Sequence, residues 1–166
     1  MRARPSQGNA EPVTAGHGPP VLLCQVGLLV CALPLESVSE TLRPMRFEPL
    51  ADTAPFVLGV SIIRGRPVPV VDLARLLGNA TDEVRTRFVS LKIGERSVAL
   101  AVGRVIGVRS LDASLACQMP PLLGGASAEV IATIGSLDAG LLLFLETSKM
   151  LPDFAWASLK SGSAEA

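Results

Sequence analysis

Thiol or metal chemistry in this 166-residue chain would have to draw on Cys24, Cys31, Cys117 and the single histidine, His17. Structural zinc sites take ligands in close pairs such as C-x-x-C, and no two of these cysteines are so spaced. His17 lies in a Gly/Pro-rich segment away from all three, so a Cys/His nucleophilic pair would require that segment to fold back. Cys24 and Cys31 fall in apolar runs, where cysteine ordinarily serves as a small buried hydrophobe, and an odd count argues against a disulfide scaffold. No glycine-rich phosphate loop follows a strand, and no spacing brings two carboxylates together for acid–base work. The expectation is therefore a protein that binds rather than reacts, with no metal and no cofactor.

Composition narrows what it binds. Fifteen basic residues balance fifteen acidic ones, aromatics make up 4% and tyrosine is absent, so neither the basic footprint nor the stacking rings of a nucleic-acid binder are present. Mean hydropathy is +0.46. The most apolar run, Val21 to Leu33, is only 13 residues long, contains Gln25 and Gly27, and falls short of the roughly 20 residues that span a bilayer. Direct membrane insertion is not expected, and a cytoplasmic location fits the reduced cysteines. The prolines and glycines between Arg4 and Val21 are also a poor lead-in for a signal peptide.

The one charged residue out of keeping with its surroundings is Arg64. Val57 to Ile63 is apolar and rich in β-branched residues, Arg64-Gly65-Arg66 interrupts it, and Val68 to Val71 resumes it, which reads as a β-hairpin with glycine in the turn. Pro67 and Pro69 cannot donate to a ladder, so the returning strand is expected at a sheet edge or a bulge. Asp72 stands where a helix N-cap belongs, ahead of Leu73, Leu76 and Leu77 on one face and Gly78 as the stop. Arg64 has no acid close by in sequence. It is a solvated turn residue, a docking residue at an exposed turn, or a core-pairing cation bound to Glu40 or Asp72.

Gly59-x-x-x-x-Arg64-Gly65 followed by Val68-Pro69-Val70-Val71-Asp72-Leu73 resembles the central signature of the CheW family, adaptors that join bacterial chemoreceptors to the histidine kinase CheA. The resemblance extends over roughly Val21 to Leu151. It includes an apolar strand, a glycine turn at Gly27, a second strand ending near Pro34, and Val38-x-Glu40. It implies a non-enzymatic scaffold whose partners are a CheA-type kinase and the cytoplasmic tips of chemoreceptors. It also implies a partner-binding set of Val38, Glu40, Gly59, Ile63, Arg64 and Val105. The chain departs from the family pattern at the apolar turn Leu28 to Val30, at Ile62 where asparagine is common, at Gly103 for an aspartate, and at Glu146 for a closing aspartate. The same family serves chemotaxis and related chemosensory systems. A reading from a different class is a free-standing SH3-like barrel that binds an apolar ligand or peptide through Gly27 to Val30.

The chain around this signature repeats itself. Gly27 matches Gly94, Leu33 matches Leu100 and Val38 matches Val105 at an offset of 67; Asp72 matches Glu146 and Leu77 matches Leu151 at an offset of 74. Ile131 to Leu145 stands in for the central hairpin. Related halves at about 21–78 and 87–151 predict two small β-units packed together, since closed sheets leave no open edge. The family resemblance makes each a five-stranded SH3-like barrel, so the expected class is all-β with short helical turns and a short C-terminal helix within 152–166. Met1 to Pro20 has almost no large apolar side chain and reads as a disordered tail. Arg43 to Pro55 is a connection, and Asn79 to Thr86 a linker in which Asp82-Glu83 answers Arg85 and Arg87. Phe88 to Ile93 alternates as a half-buried strand should.

Overall fold

The computed structural model describes residues 17–78, 84–112, 116–117, 130–137, 140–151 and 155–157. The chain is all-β among these residues, in two sheets. One has the order β8-β1-β2-β11-β10-β9, formed by β1 (Pro20–Val26), β2 (Leu29–Pro34), β8 (Arg104–Ser110), β9 (Ala116–Cys117), β10 (Ile131–Leu137) and β11 (Gly140–Leu145). The other has the order β3-β6-β7-β5-β4, formed by β3 (Val38–Leu42), β4 (Val57–Ile63), β5 (Arg66–Asp72), β6 (Arg87–Ile93) and β7 (Arg96–Val102). Without the two-residue β9, each is a five-stranded unit. The strands follow from the apolar, β-branched runs, and the turns from glycines held at positive φ, Gly27 at 59° and Gly94 at 62°.

The repeat survives as a correspondence of register. Val38 stands opposite Leu91 across β3 and β6, and its counterpart Val105 stands opposite Cys24 across β8 and β1. Val70 pairs in parallel with Ala99, and the matching Phe144 pairs in parallel with Ala32. The sequence halves are nonetheless not the two units. β5 leaves its own half to lie against β7, and β11 crosses to lie against β2, so each sheet is assembled from strands of both halves. This interleaving corrects the expectation of one unit per half.

Two further expectations change. β5 is an inner strand, not an edge. Its pairing with β7 begins only at Val70, so Pro67 and Pro69, which lie two residues apart and therefore present the same side, need no donor there. β6 is buried on both faces: Val89 and Leu91 enter a central cluster between the sheets, while Phe88, on the opposite face, packs with Ile63, Val68, Val70, Ala99 and Ala101. Ser90 shares the Phe88 face and is buried with it. A curled sheet covers its own concave side, which alternation alone cannot reveal.

Asp72 does cap the helical turn α1 (Leu73–Leu76), accepting from the backbone N–H of Ala74 and Arg75. Its counterpart Glu146 caps the 310 turn Thr147–Lys149 in the same way, through the N–H of Ser148. Arg85 reaches back to the cap of α1. It donates to Asp72 Oδ2 at 2.6 and 3.0 Å, while Asp82 and Glu83 lie outside the described residues. Met150 and Leu151 close the central cluster, with Trp156 packed against it and under the Arg96 guanidinium at 4.9 Å from the ring centroid. Of the expected C-terminal helix, 155–157 is helical. The expected N-terminal tail lies outside the described residues up to residue 16, and Pro20 already belongs to β1.

Candidate partner-binding surface

The β4–β5 hairpin closes through a two-residue turn between Ile63 and Arg66, with both central residues at positive φ, Arg64 at 50° and Gly65 at 76°. These are the signs of a type I′ turn, whose twist matches that of the flanking strands. Glycine takes the second position freely. Arginine at the first is unusual, since side chains other than those of Asn and Asp rarely enter the left-handed region.

What the turn accomplishes is to aim Arg64 across the open side of the sheet. β3 and β4 are the two edge strands of the five-stranded order, and Arg64 reaches Glu40 on β3 in a bidentate pair, Nε to Oε1 at 2.7 Å and Nη2 to Oε2 at 2.8 Å. The pair clasps one edge to the other at the surface. Arg64 is 79% exposed and Glu40 22%. The hydrogen bonds from Arg64 hold the Glu40 carboxyl below its ordinary value of 4.5; desolvation opposes them, and the guanidinium charge adds a lesser lowering. The reciprocal bonds raise the Arg64 guanidinium. Asp72, the other acid considered for Arg64, is occupied by Arg85 and Arg75.

Beside this clasp the segment 43–50 is strapped along β4. Glu48 and Val60 exchange backbone hydrogen bonds of 2.8 and 2.9 Å, and Ser61 Oγ donates to the Arg46 carbonyl at 2.7 Å. Gly59 permits the contact: a Cβ there would lie 2.2 Å from the Glu48 carbonyl oxygen, and its φ is 154°. Gly59 is thus a buried packing residue under the strap rather than a surface that a partner touches.

The six residues expected to form the partner surface therefore separate by depth. Glu40 and Arg64 meet at the surface. Val38 and Val105 are half-buried at equivalent edge positions and lean on the central cluster, one in each sheet. Ile63 is buried with Phe88 and Val70 and presents nothing outward. The exposed neighbour is Ile62, 58% accessible on the opposite face of β4. Period-two alternation contains that signal, but the phase had to come from the structure. Leu28, in the apolar turn, is 95% exposed, which settles that turn as an outward tip.

Elsewhere, Cys24 and Cys31 stand opposite each other across β1 and β2 as free, buried thiols. Burial pushes each up to about 12, and for Cys31 the neighbouring Cys24 adds to the effect. Among the described residues no group of three His, Cys, Asp or Glu side chains is placed to hold a metal, and no helix is long and apolar enough to cross a membrane.

Residues 20–155 match the CheW-like domain family. The chain belongs to that family. It is 36% identical over 134 residues to Protein FrzA of Myxococcus xanthus, a match spanning 76% of this chain and 81% of that protein. Against the Chemotaxis protein CheW of Klebsiella aerogenes it is 30% identical over 105 residues, 61% of this chain and 63% of the relative. Against that of Thermotoga maritima it is 25% identical over 139 residues, 80% of this chain and 87% of the relative. The fold agrees with the crystal structure of the scaffolding protein TtCheW from Thermoanaerobacter tengcongensis, with a TM-score of 0.72 over 83% of this chain and 95% of that one at 17% identity. In this CheW-like chain the signature residues Gly59, Arg64 and Gly65 thus have separate tasks: packing the strap, reaching β3, and allowing the turn.

Proposed function

We propose that this protein is a non-enzymatic cytoplasmic adaptor that couples the tips of chemoreceptors to a CheA-type histidine kinase in a chemotaxis or related chemosensory system, and that it works without a cofactor. The observation that carries the reading is the Arg64–Glu40 pair, a charged group held by a left-handed turn at an exposed seam between two sheet edges. A surface pair on a stiff sheet provides a fixed guanidinium face that a partner can meet without ordering a loop. Coupling then requires only that kinase and receptor favour one joint arrangement, since linkage between two partners is a difference in contact free energies. Membership in the CheW-like domain family supports the choice of partners.

Arg64→Asp tests the reading. The variant should fold, because the pair it removes is exposed, and should bind kinase and receptor at least tenfold more weakly through charge reversal at the contact. A folded variant that captures both partners as the wild type does would remove Arg64 from the interface.

One feature favours the second reading, a free-standing binding module. An apolar hollow of about 450 Å³ opens beside β1 and β11, lined by Pro20, Val21, Pro34, Leu111, Ala132 and Phe144 among others. If the protein fails to capture either signalling partner but binds apolar peptides, that reading replaces the first.

A further inference from the structure

We infer that the hollow beside β1 and β11 is a binding site for a small organic cation, an ammonium group carried on an apolar body. Such a site could belong to an adaptor or to a free-standing module, so it depends on neither reading of the whole protein.

A small side chain of the repeat helps to open the hollow. In the other sheet Phe88 is fully buried, set opposite Leu42 and Ala101 on the two neighbouring strands. At the offset of 67 its place on β1 is taken by Val21, set in the same register opposite Arg109 and Pro34. An isopropyl group thus stands where the equivalent position has a phenyl ring, and a space of about 450 Å³ remains, lined by Val21, Pro34, Leu111 and Phe144. That volume lies in the range of small-molecule sites, roughly 300–1,000 Å³. The wall on the β1 side is stiff. Gly18 runs so close to the Leu111 carbonyl that a Cβ would collide with it, and Pro19 and Pro20 follow with φ fixed by their rings. A wall that needs no ordering leaves more of the contact energy for the ligand.

The charge at the mouth selects the ligand. Among the described residues that line the hollow only Glu36, in the 310 turn Leu35–Ser37, and Asp112, beyond the end of β8, are charged; both are acidic and both are exposed. Glu36 has no ion-pair partner among the described residues. Arg109, although opposite Val21 in register, does not line the hollow. An apolar body held against Val21, Leu111 and Phe144 therefore brings its polar end toward carboxylates, which attract an ammonium group and repel an acid. An uncharged apolar ligand would use the walls and leave both acids without a role.

The test is an amide chemical-shift titration of the full chain with three probes of similar shape: tryptamine, its neutral alcohol analogue tryptophol, and indole-3-propionate. Tryptamine should shift the amides of Val21, Leu111, Ala132 and Phe144 saturably, with a dissociation constant about fivefold below that of tryptophol, the margin of an exposed ion pair, and with the acid weaker still. Added salt should narrow the margin, because exposed charges are screened. The variant E36Q/D112N leaves the apolar walls intact and should bind tryptamine and tryptophol alike; E36Q alone, whose carboxylate has no ion pair to lose, should narrow the difference. V21F puts a ring where Phe88 has one in the other sheet and should abolish binding of all three probes. No saturable shift at these amides, a preference for the acid, or a preference for tryptamine that survives in E36Q/D112N would overturn the inference. Equal binding of tryptamine and tryptophol would overturn it too, while keeping the uncharged apolar site of the second reading. The titration needs neither kinase nor receptor, so the site can fail here while Arg64→Asp still disrupts coupling, and the adaptor reading can fail while the hollow still selects the amine.

Discussion

Asp72 and Arg85 stand 2.6 Å apart at the end of β5, where the carboxylate, 7% exposed, also serves as the N-cap of α1. One carboxylate thus joins the end of the central hairpin, the helical turn and the chain that enters β6. Asp72→Ala removes the cap and leaves the site without its anion, and should cost about 2 to 3 kcal/mol in urea denaturation. Arg85→Ala leaves both cap hydrogen bonds in place and should cost about 1 kcal/mol or less, since Arg85 is itself 36% exposed. Equal losses in the two variants would assign the stability to the ion pair instead of the cap.

The two glycines of the signature should differ in kind. Gly59→Ala drives a Cβ to 2.2 Å from a backbone oxygen that cannot rotate away, so the strap must lift or the strand must shift. The expected loss is about 2 kcal/mol or more, with faster amide exchange at Glu48 and Val60 as the strap loosens. At Gly65 nothing lies within 4 Å and only the positive φ of 76° resists a side chain. Gly65→Ala should cost about 1 kcal/mol and leave Glu48 exchange unchanged. If Gly59→Ala proves the milder change, the tight approach of the strap is not what the glycine provides.

The hairpin, the caps and the repeat were legible in the sequence because each rests on local chemistry: glycine at a left-handed turn, an acid ahead of an apolar helical turn, alternation along a strand. The parallel contacts that interleave the halves were not legible. Val70 meets Ala99 and Phe144 meets Ala32 through pairings with no turn between them to mark the partner. For the same reason Glu40 could be named as a partner of Arg64 only alongside Asp72. The choice between them depends on which sheet edges meet when the sheet curls. The resemblance implies Ile63 as a partner-binding residue, and the sequence alone cannot correct that to Ile62, because strand alternation fixes which residues share a face but not which face is buried.

The Arg64–Glu40 pair also has a predictable pH response. Glu40 has its pKa lowered in the folded protein, first by the hydrogen bonds from Arg64, so the pair favours the folded state above the ordinary glutamate value of 4.5. That contribution fades as the pH falls through the lowered folded value. A carbon-detected titration of the Glu40 carboxyl should give a midpoint below 4.5, moving up toward 4.5 in Arg64→Ala. An unchanged midpoint in the variant would mean that the pair does not persist in solution.

The facing thiols should be chemically silent. Cys24 and Cys31 are both 0% exposed and burial pushes their pKa values up to about 12. At pH 8 each then has a thiolate fraction of only about one part in ten thousand, and a reagent must also reach a site between two packed sheets. In a Cys117→Ser background, which leaves only these two, a disulfide reagent at pH 8 should titrate no thiol in the native protein and two in denaturant. Because both side chains lie in the central cluster, labelling under native conditions should occur only through global opening and slow down in parallel with any substitution that stabilises the fold. Fast labelling of either cysteine at a rate insensitive to stability would show that β1 and β2 separate locally, and the cluster they share would not be the rigid centre of the molecule.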